Sequence, residues 1–449
     1  MRTAILKRWL PLILGTITGL LLLPIPSMTR SADQSAPGYG PQPRLPEAKE
    51  SWLPTLKWSV ANEPWPEGST PKPAQGMAVT AFAQGLKHPR WLLVLPNGDV
   101  LVAEAATEPA PSWSPRAIIQ TWVQRRSGAI AENANRISLL RDTNGDGIAE
   151  QQSVFLEGLR QPFGMALIGD QLYVANTDSV MRFPYRTGDT RITDKGTKLL
   201  DLPVGHHWTR ALLASPDASK LYVTVGSGSN IGEKGMDIEA GRATILEFDI
   251  ASGRSRIFAS GLRNANGMAF EPKSGALWTV VNERDELGDD LPPDYLTSVK
   301  DGGFYGWPYS YWGQKVDTRV KPQRPDLVAT AITPDYALGG HTASLGLAYY
   351  DGTLLPAPFR GGMFIGQHGS WNRSDYSGYK VVFVPFRDGR PDGTPLDVLT
   401  GFLKDDGSGK AYGRPVAVAV DGAGALLVAD DTGNAVWRVT GDQRHSWTR

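Results

Sequence analysis

Three arginines, a pair of histidines and several amides stand at equivalent places along this chain. Each lies within a few residues after a glycine and just ahead of an apolar run: Arg90, Gln161, His207, Arg263 with Asn264, His341 and Arg414. A second set ends the runs that follow: Glu104, Asn176, Ser227, Asn282 with Glu283, Gln367 with His368, and Asp430 with Asp431. Of the six histidines in the chain, His206, His207, His341 and His368 fall in these segments. An imidazole there can take a proton near neutral pH. Several guanidinium groups that converge can hold a planar polyanion through paired N–H bonds. Arg373 and Lys380, from an insertion after His368, add further positive charge.

Two acidic stretches have the oxygen-rich character that hard cations need. Asp142, Asn144 and Asp146 alternate in the run DTNGDGIAE, with Gly147 available for a sharp turn, but Glu150 comes three residues too early for a full calcium loop. The match is partial and also describes a plain Asp/Gly turn. The stretch from 282 to 290, NERDELGDD, follows directly on the Arg263-Asn264 repeat. Its carboxylates and backbone carbonyls could hold a cation, or it is a solvated charge run.

These residues need a scaffold that brings equivalent positions to one place. The segments recur as a hairpin: a Gly-Leu or Gly-His step, a polar pair, an apolar strand, a tight Gly/Asp turn and a second apolar strand. The turns fall near 97, 169, 217, 274, 351 and 421. Glycine, asparagine and aspartate supply the backbone geometry of such turns. Six hairpins at roughly blade spacing predict an all-β fold, a six-bladed β-propeller whose lead-in segments share one mouth of the central channel. Residues 77–83 have the form of an outer strand with no blade of their own. They are expected to complete the last blade beside residues 434–439, which removes exposed edges.

Composition agrees with turn-dense β structure. The 449 residues include 50 glycines and 34 prolines, with only 20% charged residues. Lys plus Arg and Asp plus Glu are 46 each, so no basic excess points to nucleic acid. There is no cysteine, which rules out disulfides, thiolate metal sites and cysteine nucleophiles.

Residues 1–31 read as a secretory signal or N-terminal anchor, with Arg2, Lys7 and Arg8 ahead of an uncharged, mostly apolar run from 10 to 25. This predicts a periplasmic or secreted protein, with membrane attachment only if the segment is retained. Residues 32–75 read as a Pro-rich linker or surface arm, 76–441 as the propeller, and 442–449 as a tail.

The motifs GLRN at 261–264 with NGMAF at 266–270, His207 followed by RAL at 210–212 and SPD at 215–217, and GGFYGWP at 302–308 resemble the soluble quinoprotein sugar dehydrogenases. The stretches 282–290 and HGSWNR at 368–373 are most similar to the glucose/sorbosone dehydrogenase branch, nearest L-sorbosone dehydrogenase. The resemblance implies pyrroloquinoline quinone at the mouth with Ca²⁺ beneath it, a small sugar as substrate, and a separate electron acceptor. His207 would be the base, and Arg263 and Asn264 would contact the quinone oxygens. Arg414 and either Arg373 or Lys380 would bind the cofactor carboxylates, and backbone carbonyls of Glu283 and Arg284 would help hold Ca²⁺. Tyr412, counted with the cofactor-binding residues, stands where glucose enzymes have a second arginine, and Glu283-Arg284 replaces their Gly-Pro. Two other readings remain at this point. One is a metal-dependent sugar lactonase using Glu104, Asn176 and Asp430. The other is a non-catalytic binding propeller.

Overall fold

The computed structural model describes residues 38–51, 61–109, 115–371 and 373–442. The expected signal segment and the last residues of the expected tail lie outside these. Six antiparallel sheets succeed one another in chain order. The second blade runs Met165–Ile168, Gln171–Ala175, Ser179–Pro184 and Thr197–Asp201 from the inside outward. The innermost strands are Pro89–Val94, Met165–Ile168, Leu212–Ala214, Ala265–Phe270, Ser344–Tyr350 and Pro415–Val420, and each packs on the next, the sixth returning to the first. This is the expected six-bladed propeller.

Closure follows the sequence reading. Met77–Gln84 forms the outer strand of the last blade, antiparallel to Ala435–Gly441, with Gln84 opposite Ala435 and Met77 opposite Gly441. Both termini of the propeller thus share one sheet, and the ring has no open seam.

The inner strands approach closely because glycine stands where they meet. A Cβ on Gly164 would lie 2.3 Å from Leu212 N, one on Gly267 2.5 Å from Leu347 N, and one on Gly346 2.3 Å from Val416 O. The blade interfaces are filled by fully buried aliphatic and aromatic side chains such as Leu101, Val174, Phe163, Phe364 and Trp437. Burial on that scale, at roughly 25 cal/mol per Å² of apolar surface, is what holds the blades together.

Two features depart from a bare propeller. A helix, Pro115–Arg126, is inserted between the second and third strands of the first blade. The described parts of the Pro-rich segment form an arm laid on the propeller. Tyr39–Gly40 extends the fourth blade against Tyr336–Gly340, and Lys72–Pro73 extends the fifth against Leu396–Thr400. Ala61–Asn62 runs parallel to Lys410–Ala411. Among the described residues no helix is long and apolar enough to cross a membrane.

Candidate active site

The lead-in segments of all six blades meet at one mouth. His207 enters the third blade from Gly205-His206, and its Nδ1 lies 2.9 Å from Ser227 O and 3.1 Å from Ser227 Oγ. Ser227 Oγ gives its own hydrogen to Ser229 O, 2.6 Å away. Both contacts therefore require Nδ1 to carry hydrogen, which leaves the lone pair on Nε2. Burial, followed by the adjacent His206 and Arg263, holds the His207 pKa well below its ordinary value, so the ring is neutral and able to accept a proton. Asn264 is its neighbour across Gly226. A Cβ at Gly226 would lie 2.4 Å from Asn264 Oδ1 and 2.6 Å from His207 Cβ, so only a glycine lets the two side chains stand together.

Arg263 is buried and anchored almost completely by oxygen. Nε donates to Asn230 O at 3.2 Å, Nη2 to Asn230 Oδ1 at 2.9 Å, and Nη1 to Glu283 O at 2.6 Å and Asn282 O at 3.3 Å. The Asp285 carboxylate is 3.7 Å away and in turn faces His341 Nδ1 at 3.4 Å. His341 Nε2 is 2.9 Å from Gly288 O. Burial pushes the Glu283 carboxyl up to about 7, against the pull of Arg263.

The opposite wall is organised by Asp431, which is fully buried. Its Oδ2 contacts Arg90 Nη1, His368 Nε2 at 2.8 Å and His88 Nε2 at 3.3 Å. Burial alone would raise the Asp431 pKa, but the hydrogen bond from His368 and the Arg90 guanidinium outweigh it and hold the carboxyl well below its usual range. Burial drives His368 to about 3 and His88 to about 4, so both are neutral, and Arg90 is the cation that balances Asp431. Arg90 also lies 5.3 Å from the ring of Trp208, the residue after His207, which joins the two walls. Arg414 donates from Nε to His368 O and from Nη2 to Gly369 O, both at 2.9 Å, and its guanidinium lies 5.4 Å from the Tyr379 ring.

Most of the expected ring is thus brought together: Arg90, His207, Arg263, Asn264, His341, His368 and Arg414. Arg373 joins its edge, donating from Nη1 to Asp290 Oδ1 at 2.7 Å. Several expectations need correction. Lys380 stands beside the mouth, but its amine is tied outward. It pairs with Gln367 in the sheet, and its Nζ is held by Asp397 of the next strand outward at 2.6 Å. Tyr412 is spent on packing, its ring 5.0 Å from that of Trp65 in the arm. Of the two backbone carbonyls named for calcium, Glu283 O accepts Arg263 Nη1 at 2.6 Å, and the Arg284 side chain, which is not the expected ligand atom, pairs with Asp317.

The loop 142–150 does gather Asp142, Asp146 and Glu150 oxygens within 4.8 Å of one another. The Asn144 amide instead turns onto Asp146, its Oδ1 accepting from Asp146 N at 2.8 Å. Glu150 Oε2 accepts from Thr143 N at 2.7 Å.

Sequence reasoning missed His88, which lies only two residues before Arg90 and reaches Asp431 because its backbone is left-handed, φ 57°. It also misjudged the lactonase set. Glu104 is buried under Arg136 at 3.0 Å, and Asp430 is fully enclosed by N–H donors, so neither carboxylate is presented to a metal in the channel.

Whether the mouth fits the expected groups can be judged from its polar atoms. Asn264 Oδ1, Arg90 Nε, Asn176 Oδ1, Gln367 Oε1 and Arg373 Nε are buried without a hydrogen-bond partner. The unpaired Arg90 and Arg373 N–H donors, beside the guanidinium groups of Arg263 and Arg414, suit a polar, polyanionic ligand such as pyrroloquinoline quinone, while the three amide oxygens suit N–H or hydroxyl groups. Glu283 O accepts a guanidinium N–H from Arg263 at 2.6 Å, so a calcium ion at that carbonyl would share it with Arg263 through the second lone pair.

Comparison with known proteins agrees with the architecture. Over 295 residues the chain is 29% identical to an uncharacterized protein of Borreliella burgdorferi, a match covering 63% of this chain and 76% of that one. Over 261 residues it is 24% identical to a pyrroloquinoline quinone-dependent pyranose dehydrogenase of Coprinopsis cinerea. That match takes in 48% of this chain but 35% of the relative, so the chain spans about a third of the length of that curated protein. The solved holo form of the PQQ domain of pyranose dehydrogenase from Coprinopsis cinerea superposes with a TM-score of 0.67 at 21% identity, covering 85% of this chain and all of that domain. The TrAA12-like family model matches residues 114–294 and 322–442. The resemblance to quinoprotein sugar dehydrogenases therefore holds at the level of the family, and the chain belongs to the TrAA12-like family.

Proposed function

We propose that this chain is an oxidoreductase, a pyrroloquinoline quinone-dependent dehydrogenase of sugars, with His207 as its general base. The observation that carries the reading is the His207 imidazole. Ser227 fixes its tautomer with Nε2 free, and a mouth lined by Arg90, Arg263 and Arg414 surrounds it. The pyranose dehydrogenase name of the Coprinopsis relative supports the same substrate class.

When bound, the quinone supplies a two-electron, hydride-accepting carbon. The residues of this chain supply the rest. Arg414, whose Nη1 makes no hydrogen bond among the described residues, and Arg90 across the mouth would hold the cofactor carboxylates. Arg263 and Asn264 would face its quinone oxygens, and the anchored Arg263 charge opposes the negative charge that develops there. His207 Nε2 takes the proton of the sugar hydroxyl as the hydride leaves the same carbon, so the alcohol carbon is oxidised by two electrons. The Ser227 carbonyl stabilises the imidazolium that results. An aldose would give a lactone, and a hydrated sugar aldehyde such as sorbosone would give an acid. Calcium, when bound, would use the second lone pair of Glu283 O and the Arg284 carbonyl, and no step is routed through it. Export across the cytoplasmic membrane, directed by residues 1–31, and a separate electron acceptor complete the proposal.

The test is reconstitution of the full chain with the quinone, following dye reduction with a panel of aldoses and sorbosone. Turnover that depends on the quinone and is lost in His207→Ala and Arg263→Ala is the expected result. Absence of quinone binding at high concentration would overturn the reading and leave a non-catalytic binding propeller.

A further inference from the structure

The N-terminal arm reaches the mouth from behind. Ala61 N donates to Gly409 O at 3.1 Å and Glu63 N to Ala411 O at 2.8 Å, which fixes the arm to the segment that leads into Arg414. On its other side Asn62 Nδ2 donates to Thr432 O at 3.0 Å, so the arm also grips the segment that leaves the second strand of the sixth blade. Trp65 then inserts its ring against Phe402, Tyr412 and Trp437, with centroids 5.7, 5.0 and 5.2 Å away.

Its indole N–H ends on Asp430. Oδ2 of that carboxylate accepts Trp65 Nε1 at 2.8 Å and Trp437 Nε1 at 3.1 Å. Oδ1 accepts Arg414 N at 2.7 Å and Gly433 N at 2.9 Å. The carboxylate fills space left by two glycines, since a Cβ on Gly413 or Gly433 would lie 2.0 or 2.1 Å from Oδ2. A fully buried carboxylate with four N–H donors is rigid, and removing one donor leaves the rest strained or unsatisfied. One oxygen is held by the arm and the other holds the Arg414 backbone. The next residue, Asp431, holds Arg90 and His368.

We infer that Trp65 is a positioning residue of the mouth, which through Asp430 sets the backbone of Arg414 and thereby the aim of its guanidinium. The arm is then part of the ligand site without touching the ligand. The link to Arg414 stands on the contacts above, and its consequence for cofactor binding rests on the function proposed in the preceding section.

The experiment uses the full chain and Trp65→Phe, which keeps a ring in the cluster and removes only the N–H. Hydrogen exchange on the unloaded protein reads the link directly. Amides in 412–416 and 430–433 should exchange about tenfold faster, while the second blade is unchanged. The quinone dissociation constant, read by absorbance, should rise about fivefold. The same substitution in an Arg414→Lys background should add nothing further, since coupled residues are not additive. Unchanged exchange at 412–416, or a fully additive effect on binding, overturns the inference. A parent chain that binds no quinone overturns the proposed function, and the exchange result still decides the link. If Trp65→Phe does not fold, Trp437→Phe removes the other donor to the same oxygen and must produce the same change at Arg414.

Discussion

Gly226 offers the sharpest single test of the base. A methyl group there, in Gly226→Ala, would lie 2.6 Å from His207 Cβ and 2.4 Å from Asn264 Oδ1. Carbon atoms pack at about 3.5–4.0 Å, so His207 must retreat by roughly 1 Å. The retreat has to break at least one of two short contacts, those of Nδ1 with Ser227 O at 2.9 Å and with Ser227 Oγ at 3.1 Å. A misplacement of about 1 Å in a reacting group costs on the order of 100-fold in rate, while overpacking of this kind destabilises by about 1–3 kcal/mol. The assay is steady-state dye reduction on the reconstituted chain beside a thermal melt. We expect kcat/KM to fall about 100-fold, with a melting temperature lower by only a few degrees. Gly422→Ala is the control, because a Cβ there meets nothing within 4 Å. Parental kcat/KM in folded Gly226→Ala would refute the assignment of His207 as the base held in this geometry.

Three further outcomes follow from the same contacts. Because burial and nearby cations hold the His207 pKa well below its ordinary value, the acid limb of the kcat/KM–pH profile should lie below the ~6.5 of a free imidazole, and a limb at or above that value contradicts the neutral base. Because calcium at Glu283 O would have to share that carbonyl with the Arg263 guanidinium, chelation with EDTA should leave the quinone dissociation constant little changed, and a tenfold tightening on adding calcium would refute this. Asp431→Asn strands the buried Arg90 charge, and urea unfolding should show a loss of about 3–5 kcal/mol. Since the folded Asp431 pKa is depressed, its contribution is present above the unfolded value of ~3.9 and fades as pH falls below it, so the variant's stability should depend less on pH on the acid side.

The parts of this molecule that were legible in sequence are those carried by local periodicity. The Gly/Asp turns between apolar runs mark each inner hairpin. The spare strand at 77–83 points to its place because its pattern matches the outer strands of the other blades. The ring at the mouth was legible for the same reason, since the fold brings one sequence position from each repeat to one place. What was not legible depends on partners far away in the chain. Tyr412 was read as a ligand residue because nothing local shows that Trp65 comes to cover it. That the Lys380 amine is tied to Asp397 depends on the sheet register, which local spacing does not reveal. That Arg263 is bonded through Nη1 to Glu283 O, the carbonyl expected to bind metal, is a matter of side-chain geometry that spacing does not encode. Helix Pro115–Arg126 interrupts a blade and follows no repeat, so the periodic argument had nothing to say about it.

The seam that closes the ring also sets a timetable for the chain's birth. Met77–Gln84 leaves the ribosome early, but its partner Ala435–Gly441 follows only after about 350 more residues. At about 5–20 residues per second, that strand waits roughly 20–70 s without its neighbour. During the wait it presents an unpaired edge to any other nascent copy. Two such copies that exchange their first strands would satisfy every backbone bond of the sixth blade as well as one chain alone does, giving a strand-swapped dimer whose yield depends on how crowded synthesis is. Ring closure therefore leaves the finished seam without an unpaired strand while concentrating the risk of misassembly in the interval before the final strand arrives.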